Sequence, residues 1–146
     1  MDATLDTNDM AELAGMLSQT LRNWVAWGFL VPSTPGPRGR LRGHRYSRQQ
    51  AVGLLAARRL QQSQRGCNLK YAAEVIQAFA DLPEEQFLSH LRAGRVYFLG
   101  LNDRGPILLD SCLGLVGLPN VHSLHLLVCK HVAAKKATAT AETEDD

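Results

Sequence analysis

No acidic residue occurs between Glu12 and Glu74. A stretch of that length without a carboxylate cannot be neutralised from within. It carries Arg22, Arg38, Arg40, Arg42, Arg45, Arg48, Arg58, Arg59, Arg65 and Lys70. The net charge of +2 over 146 residues conceals the imbalance, because acid outside the stretch offsets it. A surface kept charged only for solubility mixes both signs. A one-signed, arginine-rich surface instead attracts a polyanion, and the planar guanidinium fork fits phosphodiester oxygens or a guanine edge. Long apolar runs are also missing, which excludes a membrane-spanning helix as an expectation. The start, MDATLDTNDM, has no apolar stretch of the kind a secretory signal needs. Cysteine is scarce: Cys67, Cys112 and Cys129 are odd in number and far apart, which suits reduced thiols better than a disulfide framework. No Gly-rich phosphate loop, nucleophilic triad or pair of catalytic carboxylates can be argued. Neither an enzyme nor a cofactor is expected.

What is present is a series of capped amphipathic segments. Asn8 to Gly15 has an apolar face of Met10, Leu13 and Ala14, with Asn8 as its expected cap and Gly15 as its stop. Ser18 is placed to cap a second helix to Trp27, with Leu21, Trp24 and Val25 at i, i+3 and i+4 and Gly28 as its stop. Two short helices with a tight Gly-containing turn predict a helix-turn-helix. The segment Pro32 to Tyr46 holds three prolines and three glycines and cannot be helical. Its flanks, Phe29–Val31 and His44–Tyr46, are expected to pair as a hairpin. Ser47 and Gln50 have capping-box spacing for a third helix, with Val52, Leu55, Ala56 and Leu60 inward and Gly66 at its end. Asn68 is placed to cap a fourth through Phe79. A fifth is expected over Pro83 to Ala93. Arg95–Leu101 and Pro106–Asp110 predict a hairpin around Asn102-Asp103-Arg104-Gly105. Val121–Cys129 alternates at Leu124, Leu126 and Val128 and is read as a strand, with a helix as the alternative. The Ala/Thr-rich end from Ala133 is expected to be a disordered tail. The fold class is mainly α with a small β content, α+β. The expected units are a winged helix-turn-helix DNA-binding domain over residues 1–80, a small α+β dimerisation or sensing module over 83–132 and the disordered tail over 133–146.

The N-terminal half carries a family resemblance. Asp9-Met10-Ala11-Glu12-Leu13-Ala14, Leu17 to Trp24, Gly28-Phe29-Leu30-Val31-Pro32 and Arg45-Tyr46-Ser47 occur in the order and spacing of the winged helix-turn-helix of MerR-type transcription regulators. Gly66-Cys67-Asn68-Leu69-Lys70 is similar to the segment that opens the family's next helix. The resemblance covers about residues 6 to 80. It implies a cytoplasmic, nucleoid-associated regulator of bacterial or phage type that binds double-stranded DNA, acts as a homodimer and works on RNA polymerase at promoters. Two departures stand out. The wing ending Gly43-His44-Arg45-Tyr46 is one residue shorter than the family's usual form. No long heptad pattern follows Phe79, although family members usually end in a helix that pairs with a second subunit.

The expected DNA-binding residues are Ser18, Gln19, Thr20, Arg22 and Asn23 on the second helix, and Arg38, Arg40, Arg42, His44, Arg45 and Tyr46 on the wing, with Tyr46 expected to pack under the wing and keep its hydroxyl free to touch a phosphate. In this motif the start of the second helix enters the major groove. There Arg22 suits guanine or phosphate, and Gln19 and Asn23 suit adenine. A wing loaded with arginine fixes register on the backbone or minor groove. Leu21, Trp24 and Phe29 are assigned to the core. Arg58 and Arg59 are equally suited to phosphate contact and to solvation. His122, His125, Cys129 and His131, with Cys112 upstream, are the candidate metal ligands by residue type, but their spacing matches no standard zinc pattern. Two alternatives stay open. One is an architectural, recombination or packaging factor, excisionase-like or phage small-terminase-like. The other is a metal- or small-molecule-binding module.

Overall fold

The computed structural model describes residues 5–37, 43–63, 68–112 and 118–144. It is mostly helical, with one two-stranded antiparallel sheet. Helix α1 spans Thr7–Ala14. Asp6 caps it, not Asn8: its carboxylate accepts from the Asp9 amide at 2.8 Å, and the Asp9 carboxylate accepts from the Asp6 amide at 2.9 Å. Leu5, fully buried and paired with Tyr46, anchors the chain one residue earlier, so Asp6 falls at the extended cap position. Gly15, at φ 64, ends the helix as expected.

Helix α2 spans Ser18–Ala26. Its cap position is held by Leu17, which offers no side-chain acceptor, and Ser18 stands inside the first turn. The cause is the return bond from the Met16 amide to the Ala11 carbonyl at 2.9 Å, which tightens the turn. At the far end Gly28 (φ 81) donates to Val25 O and Phe29 donates to Trp24 O, a Schellman closure. This closure corrects the expected hairpin. Phe29 and Leu30 wrap the end of α2 instead of pairing with 44–46. Arg45 pairs with Thr34, and Tyr46 pairs with Leu5.

Helix α3 spans Arg48–Ser63. Ser47 and Gln50 form the expected reciprocal box, both bonds at 3.1 Å. Gly66, its expected stop, lies outside the described residues. Gln50 also donates to Val31 O and accepts from Ser33 Oγ, which fastens the base of the wing to α3. Helix α4 spans Leu69–Asp81, capped by Asn68 as expected. The two helices approach so closely that a Cβ on Gly53 would lie 3.0 Å from Phe79 Cβ and 3.1 Å from Ile76 Cα. Glycine in a helix interior costs about 0.5–1 kcal/mol against alanine. At this position it is the residue that fits. Helix α5 spans Glu84–Arg92.

Strands β1 (Tyr97–Asn102) and β2 (Gly105–Leu109) form the expected hairpin, closed at Asn102↔Gly105. Helix α6 then spans Val121–Glu144. This corrects both the strand expected at 121–129 and the disordered tail expected from 133. Asn120 supplies the start, accepting from the Ser123 amide through its side chain. Val121, Leu124, Val128 and Val132 are buried, while Leu126 and Leu127 remain 47% and 43% exposed. The packed set follows the helical period and not the alternation. Alanine and lysine, both good helix formers, carry the helix on through 133–137.

The buried cluster runs from Leu5 to Val132 and includes Phe79, Phe87 and Phe98. The residues expected to form a separate C-terminal module therefore pack on the same core as the helix-turn-helix. A polar clasp adds to this. Asp9 on α1 meets His131 Nε2 at 2.9 Å and Lys135 Nζ at 2.5 Å, both on α6. Burial, the largest single influence, raises the Asp9 pKa, but bonds from the Asp6 amide, His131 and Lys135 outweigh it and bring it to about 2. The folded value lies below the ordinary 3.8, so the clasp stabilises the protein above about pH 4 and fades as pH falls through 2. Asp9→Asn is expected to cost about 2 kcal/mol at neutral pH and almost nothing at pH ~2. Urea unfolding at the two pH values checks this. An equal loss at both would rule out the ionised clasp.

Candidate nucleic-acid interface

The outer face of α2 is built by its inner one. Leu21 (0% exposed) and Trp24 (6%) are drawn into the core, which turns Gln19 and Arg22 fully outward and leaves Ser18, Thr20 and Asn23 at the margins. Gln19 Nε2 donates to Asn23 Oδ1 at 3.1 Å, so these two amides already share one stripe one turn apart. The free amides of the first turn of α2 are left without a side-chain cap. They add partial positive charge at that end. Phe29, assigned to the core, packs against it half-buried.

The wing residues divide. Arg38, Arg40 and Arg42 lie outside the described residues. Arg45 is half-exposed and donates to the His44 carbonyl at 3.0 Å. His44 is a correction, and so is the free hydroxyl expected of Tyr46. His44 is buried, and its Nδ1 accepts from the Gly36 amide at 2.7 Å, closing the base of the wing. Tyr46 is fully buried, its hydroxyl 3.4 Å from Thr7 Oγ1, and burial pushes its pKa up. Neither presents a surface to a large ligand. The alternating pattern His44-in, Arg45-out, Tyr46-in is what a short extended segment gives when one face is packed. On α3, Arg58 is half-buried and donates to Gln61, while Arg59 is exposed.

The candidate metal ligands separate as well. His131 turns to Asp9. His125 approaches Cys129, with Nε2 3.7 Å from Sγ, and its ring lies edge-on to Phe87 at 5.6 Å. Burial first, then Arg48 and His122, holds the His125 pKa below the usual imidazole range. His122 is exposed. Among the described residues no group of three or more His, Cys, Asp or Glu could hold a metal ion. Also among them, no helix is long and apolar enough to cross a membrane.

Sequence reasoning left one prominent feature of this face unassigned. Leu17, Trp27 and Val31 are 78%, 61% and 54% exposed and flank α2 at its start, its end and the wing entry. The helical spacing of Trp27 from Gln19 and Asn23 was the available signal.

An outward helix with Gln19, Arg22 and Asn23, backed by a packed first helix and a wing rooted on α3, is the geometry of a helix-turn-helix reader. No curated protein and no solved structure matches the chain. The family model described as MerR HTH family regulatory protein matches residues 6–78, half of the chain, and spans α1 through nearly all of α4. The chain belongs to the MerR helix-turn-helix family of DNA-binding transcription regulators.

Proposed function

We propose that the protein reads duplex DNA by placing α2 in the major groove and the arginine wing on the adjoining backbone or minor groove. The observation that carries this is the outward stripe of Gln19, Arg22 and Asn23 within a stretch that has no carboxylate from residue 13 to residue 73. Arg22 then takes a guanine edge or a phosphate, and Gln19 and Asn23 take adenine. Ser18, Thr20 and the uncapped amides at the start of α2 take phosphate. Arg38, Arg40 and Arg42 join on sequence alone, as backbone contacts that position without selecting. His44 and Tyr46 serve from beneath, holding Arg45 outward.

Specific sites for such modules usually need two copies one helical turn apart. Leu126, Leu127 and Leu99, exposed on α6 and β1, supply apolar surface for a second subunit. Membership of the family supports extending the proposal to a homodimer acting at promoters on RNA polymerase.

The test is selection of bound duplexes from a random pool. Two inverted half-sites about 10 base pairs apart are the expected product. Arg22→Ala is expected to relax one position of the motif, at about 1–3 kcal/mol. Arg40→Ala is expected to weaken all sequences alike. A motif unchanged by Arg22→Ala would mean that α2 is not the reading helix. A tandem array in place of the inverted pair would favour an architectural or packaging role.

A further inference from the structure

Trp27 is 61% exposed, whereas its neighbour Trp24 is 6% exposed. Its position is nonetheless fixed. Its amide donates to the Asn23 carbonyl at 2.9 Å, and its backbone (φ −84, ψ −3) continues the helical screw. The next residue, Gly28, reverses the chain. The indole is braced on one side by the Phe29 ring, edge-on at 6.4 Å. Gln19, Asn23 and Trp27 are therefore i, i+4 and i+8 on one stripe, and the Gln19–Asn23 hydrogen bond shows that the stripe is continuous. A rise of about 1.5 Å per residue puts Trp27 about 12 Å along the axis from Gln19. That span is comparable to the major groove's width of about 12 Å. When the first turn of α2 reads base edges, the end of the stripe reaches the groove wall.

The chemistry fits that wall. Indole Nε1–H is a donor with no acceptor, which suits an acceptor-only phosphate, and the ring offers an apolar face to deoxyribose. A protein partner would favour a contiguous apolar patch. Leu17 and Val31 are exposed on the same face but stand at the start of α2 and at the wing entry, while Trp27 shares its stripe with two amides and its helix with Arg22, in a stretch without acid. We infer that Trp27 is a positioning residue that donates from its indole to a backbone phosphate and lays its ring on the adjacent sugar, setting the angle at which α2 enters the groove. This rests on the DNA-reading role proposed for α2.

The experiment uses the full chain and a fluorescein-labelled duplex carrying the selected site. Anisotropy of the label reports binding, and acrylamide quenching of tryptophan reports Trp27 separately, because Trp24 is buried. The expected result is that the quenchable part of the emission becomes protected at saturation. Trp27→Ala is expected to lower affinity for selected and unrelated duplexes alike by about tenfold, the scale of one hydrogen bond to a charged group. Trp27→Phe should fall between, keeping the ring and losing the donor. Saturated anisotropy with Trp27 as quenchable as before would overturn the inference while leaving DNA reading intact. Protection that appears on raising protein concentration without DNA would assign Trp27 to a protein contact instead. An affinity loss confined to the selected site would make it a base reader and overturn the positioning role. No anisotropy change with any duplex would remove the DNA reading and this inference with it.

Discussion

Replacing Phe79 by alanine is expected to lower stability by about 3–5 kcal/mol, the scale for truncating a fully buried phenylalanine. Phe79 is 0% exposed. Its Cβ faces Gly53 at the tightest part of the α3–α4 contact, and its ring meets Phe98 of β1 at 5.3 Å and 61°. Its carbonyl also accepts from buried Gln49, which bonds Leu82 O as well. Nothing small can refill that space, because the backbones on either side are already held by these bonds. The residue joins α3 and α4 to the hairpin, so the loss should be felt throughout. Urea unfolding followed by tryptophan fluorescence, which reports α2 through Trp24, should coincide with unfolding followed by circular dichroism. Both curves should shift together in the variant. Separate transitions, or a loss under about 1 kcal/mol, would mean that the hairpin and α6 are not integral to the core.

Affinity for duplex DNA is expected to fall steeply with salt. The five arginines of α2 and the wing, Arg22, Arg38, Arg40, Arg42 and Arg45, meeting phosphate give a slope of log K on log salt of about −4.5, or a loss of about five-hundred-fold between roughly 50 and 200 mM. The magnitude follows from counterion release and not from any one contact, so single alanine substitutions at wing arginines should each flatten the slope by about one. Titration of a labelled duplex at several salt concentrations measures it directly. A slope near zero would remove the electrostatic basis of the proposal, whatever the affinity.

The elements marked by their own residues were legible in the sequence. The Ser47–Gln50 box, the Asn68 cap, the Gly15 and Gly28 stops and the Asn102–Gly105 turn each carry a local chemical signature, and each stands where expected. The outward residues of α2 followed from Leu21 and Trp24 being apolar at helical spacing. What could not be read depended on distant partners. Asp6 displaces Asn8 as cap because Leu5 is pinned to Tyr46, far along the chain. The Tyr46 hydroxyl looks free to reach a phosphate until Thr7, far along the chain, is seen beside it. The 121–129 segment satisfies two periods at once, and only the packing of Val121, Leu124 and Val128 into the core decides between them. His131 resembles a metal ligand in a local window, but its partner is Asp9.

The clasp between the first helix and the last also sets when the fold can be completed during synthesis. Asp9 and His131 are separated by 122 positions, and Lys135 lies further still. On a ribosome adding about 5–20 residues per second, the first helix waits roughly 6–25 s for its partner to be made. During that interval the α3 surface that α6 will cover stands open. The nascent N-terminal half is thus basic and incompletely covered until α6 packs on it.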